Sequence, residues 1–220
     1  MRRLILCALM LGTLCLASVS AHRLPTRVQA RESGQLSLLA NGQWGILNGG
    51  AVLYNTSYGA LAFDFPGPGR GVNYLYRELG ASFGRPLGLH VVASVWGSVE
   101  IRHDVTGEPA SCRPGPATVR LFVWAMRFTG PWGFDWSTGL RWWSNPAYGE
   151  LTNGRIVLDV PLDWRYWSSV YGERDATQFE KVLVDRPLMV GMTFGGGCAF
   201  GHGVYANGAS QFAVHEFRVY

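Results

Sequence analysis

Apolar residues recur at every second position over much of this chain. From Leu87 to Val105 the odd positions hold Leu87, Leu89, Val91, Ala93, Val95, Val99, Ile101 and Val105. The even positions hold His90, Val92, Ser94, Trp96, Ser98, Glu100, Arg102 and Asp104. A period of two places one set on a buried face and the other outward, so the stretch predicts β structure, divided near Gly97. Leu61, Phe63 and Phe65 alternate in the same way before the turn Pro66-Gly67-Pro68-Gly69. So do Ile156, Leu158, Val160 and Leu162, and Leu188, Val190, Met192 and Phe194. Turn signals separate the runs at Asn48-Gly49-Gly50, Asn153-Gly154 and Asn207-Gly208. Helical spacing shows only in Arg174 to Val184, where Phe179, Val182 and Leu183 fall on one face. Short strands with regular turns and little helix predict an all-β fold, an antiparallel β-sandwich or jelly roll, in one domain over residues 41–220.

The segment Val119 to Phe128 breaks the alternation. Val119, Leu121, Val123 and Ala125 make one apolar face, and Phe122, Trp124, Met126 and Phe128 make a second. Such a strand is either covered on both sides or carries an outward aromatic platform. In the second case Trp124 is an exposed ring beside Arg120, suited to stacking on the C–H face of a sugar. Trp132, Trp136, Trp142, Trp143, Trp164 and Trp167 follow. Most Trp rings close a core or cover a sheet edge. The Gly-containing loop Gly130-Pro131-Trp132-Gly133-Phe134-Asp135-Trp136 differs, because aromatics in a loop have no strand packing to explain them. The candidate ligand-binding residues are Trp96, Arg102, Phe122, Trp124, Trp132, Asp135, Trp136, Trp143 and His202.

The N-terminus changes the compartment. Met1-Arg2-Arg3, the apolar run Leu4 to Leu16 and the small residues Val19-Ser20-Ala21 read as a secretory signal peptide over residues 1–21. About 13 apolar residues are too few for a membrane span, which needs ~20. A polar stretch from Arg27 to Gln35 makes residues 22–40 a lead-in to the domain. The full chain carries 19 Lys plus Arg against 15 Asp plus Glu; without Arg2 and Arg3 the balance is 17 to 15, or +2. No basic stripe remains for nucleic acid. Cys7 and Cys15 leave with the signal, so Cys112 and Cys198 remain. In an oxidising compartment, secreted or periplasmic, they form one disulfide or stay as buried thiols; their turn-forming neighbours favour the disulfide. Neither belongs to a paired Cys or Cys–His metal-binding motif, so no metal site and no cofactor are expected.

Chemical motifs are sparse. Gly195-Gly196-Gly197 and Gly201-His202-Gly203 lack the Lys-Ser/Thr of a phosphate loop. Glu100 with Asp104 or Asp159 is the catalytic alternative: two outward carboxylates about 5–9 Å apart would suit glycoside hydrolysis. Solvated strand-face charges are the plainer explanation.

The C-terminus holds two alternating pairs, Phe212/Val214 and Phe217/Val219, with a one-residue phase shift at His215-Glu216. It resembles the closing strand of jelly-roll carbohydrate-binding modules and concanavalin-like lectin sandwiches. Many of those modules place an Asp pair at the shift to hold structural calcium, where this chain has His215-Glu216. The phrases Val72-Asn73-Tyr74-Leu75-Tyr76, Arg141-Trp142-Trp143-Ser144, Val157-Leu158-Asp159-Val160-Pro161-Leu162 and Gly191-Met192-Thr193-Phe194-Gly195-Gly196-Gly197 also resemble a group of secreted bacterial proteins with no assigned activity. The resemblance implies an exported sandwich and no activity; the aromatic face at Phe122 and Trp124 and the Trp132–Trp136 loop are what suggest binding of a polysaccharide or glycan without catalysis. A glycoside hydrolase on the same face and a ligand-free envelope protein are the alternatives.

Overall fold

The computed structural model describes residues 36–37, 44–47, 50–80, 85–97, 100–103, 116–125, 138–185, 187–196 and 203–220, all within the compact unit Gly34–Tyr220. The signal segment 1–21, most of the lead-in, Asp104, Cys112, Trp132, Asp135, Trp136, Cys198 and His202 lie outside the described residues.

The strands are β1 (Leu36–Ser37), β2 (Gly45–Leu47), β3 (Tyr54–Asn55), β4 (Leu61–Asp64), β5 (Tyr74–Leu79), β6 (Gly88–Gly97) and β7 (Ile101–His103). They continue as β8 (Thr118–Ala125), β9 (Arg141–Glu150), β10 (Gly154–Pro161), β11 (Trp167–Ser169), β12 (Leu188–Gly195), β13 (Val204–Ala206) and β14 (Ser210–Val219). One helix, α1 (Ala176–Val184), precedes β12. Sheet A runs β10-β6-β14-β4-β3, with β1 on the far end of β14; sheet B runs β11-β9-β8-β12-β5-β2. A small third sheet pairs β13 with β7, and every pairing is antiparallel. The protein is an all-β, sandwich-like fold.

The period-two pattern explains the core. Leu89, Val91, Ala93 and Val95 of β6 turn inward with Ile156 and Leu158 of β10 and Phe212, Val214 and Phe217 of β14. They meet Val119, Leu121 and Val123 of β8 and Leu188, Val190, Met192 and Phe194 of β12. Phe63, Phe194 and Phe212 pack ring to ring at 5.2–5.6 Å. Burying each such side chain is worth roughly 1.5–3 kcal/mol, so this layer dominates folding.

The helix starts two residues later than Arg174. Asp175 is extended at φ −133°, and its carboxylate accepts from the Gln178 N–H at 2.9 Å, so Asp175 caps the helix from outside it. Phe179 inserts between Trp142, at 5.2 Å, and Trp167, stacked at 5.7 Å. The stretch around Gly97 also divides as the sequence suggests. β6 ends there, and β7 leaves sheet A to pair with β13. No helix among the described residues is long and apolar enough to cross a membrane.

Candidate functional site

The outer face of sheet B is not an open platform. Phe122 and Trp124 do point away from the main core, yet both are 0% exposed, and Trp143 is buried as well. With Tyr74 and Met189 they form a second, aromatic core on that face, flanked by Leu47, Tyr76, Leu140 and Val170. Tyr74 lies edge-on to Phe122 at 5.1 Å, and the Arg141 guanidinium sits over the Trp124 ring at 5.8 Å. Burial pushes the Tyr74 phenol up, partly opposed by the neighbouring Arg141 charge. Phe122, Trp124 and Trp143 are therefore corrected from ligand contacts to packing residues: β8 is covered on both sides. Arg120 is buried too. Its Nη1 donates to the Ser144 carbonyl at 2.9 Å and to Asn145 Oδ1 at 3.3 Å, and it lies over the Tyr148 ring.

The outer face of sheet A is where aromatic and polar groups meet water. Trp96 is 50% exposed on β6. Gln211 of β14 stands in register with Trp96 on one side and with Asp64 of β4 on the other. Tyr54 of β3 completes the row: its hydroxyl accepts from Gln211 Nε2 and donates to Asp64 Oδ1 at 2.8 Å. Burial, then the bond to Asp64, raises the Tyr54 pKa, so the phenol remains a donor. The outcome is a transverse row of indole, amide, phenol and carboxylate across four strands.

A bulge adds two more side chains. The β14–β6 register shifts between Val214 and Glu216, at the phase shift visible in the sequence. Val214 and Phe217 stay in the core, so His215 and Glu216 both turn outward. His215 meets Trp96 edge-on at 5.7 Å, and its Nε2 is 2.6 Å from Ser94 Oγ. Glu216 Oε2 lies 3.9 Å from His90 Nε2, while His90 Nδ1 is 3.2 Å from Asp159 Oδ2. Tyr220 donates to Asp159 Oδ1 at 2.8 Å, and burial, then this bond, drives its pKa upward. Asp159 is thus part of a brace joining β10, β6 and the last residue.

Glu100 lies elsewhere. It is exposed, bonds Arg102 at 3.0 Å, and lines a cleft of about 330 Å³ with Val95, Ala117, Leu151, Thr152 and Asn153. Asp159 pairs with His90, seven residues along β6 from Gly97 and roughly 23 Å away at ~3.3 Å per residue. Glu100 is three residues beyond Gly97, at the opposite end of the strand. The Glu100–Asp159 pair is therefore too far apart for glycoside hydrolysis, and Arg102 is engaged with Glu100 rather than with Trp96. Among the described residues no three His, Cys, Asp or Glu side chains are grouped to hold a metal ion.

Of the candidate contacts among the described residues, only Trp96 sits in the assembled row. Tyr54, Asp64, Ser94, Gln211 and His215 come from four strands distant in sequence, and only register brings them together. Comparison with known proteins finds no family model and no curated protein that matches this chain.

Proposed function

We propose that the outer face of sheet A binds a carbohydrate, with Trp96 as the stacking platform and Gln211, Tyr54, Asp64 and His215 bonding hydroxyls. The observation that carries this reading is a half-exposed indole in register with a hydrogen-bonded amide, phenol and carboxylate. An indole face offers dispersion and C–H contact to a pyranose, and the polar row supplies both donors and acceptors for its hydroxyls. The rigid sheet holds these groups in place before the ligand arrives, which lowers the ordering cost of binding. This reading takes the fold as a lectin-like jelly roll, exported after removal of residues 1–21, with Cys112 joined to Cys198.

Affinity electrophoresis through gels containing gluco-, galacto- and manno-configured polysaccharides tests the reading. Wild type is retarded by at least one polymer, and Trp96→Ala loses at least ~10-fold in affinity, the scale of an aromatic hot spot. Gln211→Ala weakens the same interaction. Migration unaffected by every polymer, or equal retardation of Trp96→Ala, refutes it. Intact mass of the exported chain and a thiol titration check the leader and the disulfide independently.

A further inference from the structure

The bulge in β14 does more than widen the polar face. His215 is the extra residue between Val214, paired with Ala93, and Glu216, paired with Val92. It has no cross-strand partner in that register, and its side chain is aimed at Ser94, the outward residue next along β6. Bulges that re-aim one side chain are over-represented beside active sites. Here the re-aimed ring puts Nε2 2.6 Å from a serine hydroxyl, within the reach that activates a nucleophile. In the Nδ1–H tautomer the Ser94 hydroxyl donates to His215 Nε2, the arrangement a general base requires. Trp96, edge-on at 5.7 Å, orients the imidazole by packing. Arg155 of β10 stands in register with Ser94 on the side away from β14 and is exposed on the same outer face.

We propose that Ser94 and His215 are a nucleophile–base pair that hydrolyses small carboxylic esters on the outer face of sheet A. Ser94 Oγ attacks the ester carbonyl carbon while its proton passes to His215 Nε2. The bond from that carbon to the alcohol oxygen breaks, and the alcohol departs with the proton from His215, leaving acyl-Ser94. Water then attacks the acyl carbon and gives a proton to His215 Nε2. Ser94 Oγ leaves, takes that proton, and a carboxylic acid is released. The sum is ester plus water to acid plus alcohol, with no redox change. Arg155 supplies positive charge toward the carbonyl oxygen as it becomes an oxyanion. Ser94 is only 5% exposed, which selects a short acyl group of acetyl size. The alcohol side faces Trp96, so an O-acylated sugar is the natural substrate class; that last assignment rests on the carbohydrate reading.

The test uses the exported chain, a small fluorophosphonate and 4-nitrophenyl acetate. The fluorophosphonate is expected to form one covalent adduct, mapped by peptide mass to Ser94, and 4-nitrophenyl acetate to be hydrolysed above the buffer rate. Ser94→Ala abolishes both, and His215→Gln slows both by at least ~100-fold, the typical contribution of a positioned base. Adduct mapping needs only wild-type protein, so the proposal does not depend on how well the variants fold. An unlabelled Ser94, a label on another residue, or His215→Gln reacting at the wild-type rate overturns it. A labelled Ser94 in a protein that no glycan retards upholds the pair and sinks only the carbohydrate reading. Glycan retardation with Ser94 unlabelled does the reverse.

Discussion

Replacing Trp124 with Ala separates a packing role from a binding role. The indole is fully buried in the aromatic core on sheet B, among Tyr74, Phe122, Trp143 and Met189. A Trp removes up to ~250 Å² from water, and at ~25 cal/mol per Å² that is an upper bound near 6 kcal/mol. A denatured chain already hides part of that area, and measured Trp→Ala costs in cores run about 3–5 kcal/mol. Trp96 is half exposed, so the same arithmetic leaves ~1.5–2.5 kcal/mol for Trp96→Ala. Urea denaturation followed by far-ultraviolet circular dichroism reads both. Trp124→Ala is expected to lower the midpoint far more than Trp96→Ala, with similar slopes, if both variants remain two-state. A Trp124→Ala cost below ~1 kcal/mol would mean the ring is open to solvent and would return it to the candidate binding residues.

Three further outcomes follow from the packing. A Cβ on Gly191 would overlap the Leu75 carbonyl oxygen and come within 2.9 Å of Tyr76 Cα. Because β12 is held between β5 and β8, Gly191→Ala should cost about 3 kcal/mol or more in urea unfolding, and a neutral result would contradict the register. Phe179→Ala leaves a hole between Trp142 and Trp167 and should cost about 3–5 kcal/mol by the same measurement, with the helical circular dichroism signal diminished. The alkaline limb carries a sign. Tyr74 and Tyr220 have folded-state pKa values raised above the unfolded value of ~10, so the unfolded chain loses protons first. Their contribution is complete below pH ~10 and is lost as pH rises through the folded values. Stability measured from pH 9 to 12 should therefore fall, and fall less in Tyr74→Phe; an unchanged slope in that variant would refute the assignment.

The alternation of Leu87–Val105, Ile156–Leu162 and Leu188–Phe194 was enough to place β6, β10 and β12, because the side chains that face the main core recur at every second residue of a strand. The phase shift at His215-Glu216 was visible for the same reason, since an extra residue cannot hide in a period of two. Trp124 was ambiguous. Apolarity on both faces of β8 does not say whether the second face is covered, and its neighbours Tyr74 and Met189 come from β5 and β12. The polar row was illegible. Tyr54, Asp64 and Gln211 are each unremarkable alone, and their meeting depends on β14 entering sheet A between β4 and β6. The Ser94–His215 bond spans 121 residues and follows from strand order plus the bulge, not from any local motif.

Oxidative footprinting by N-bromosuccinimide, with tryptophan oxidation located by peptide mass spectrometry, tests the central claim most directly. Trp96 and Trp164 are both exposed enough to react, whereas Trp124, Trp142 and Trp167 are fully buried. With the polysaccharide selected by gel retardation at saturation, Trp96 should become protected at least several-fold while Trp164 reacts as before. Trp96 oxidised at the same rate with and without the bound polymer, or protection confined to another tryptophan, would contradict the assignment of the binding face to sheet A.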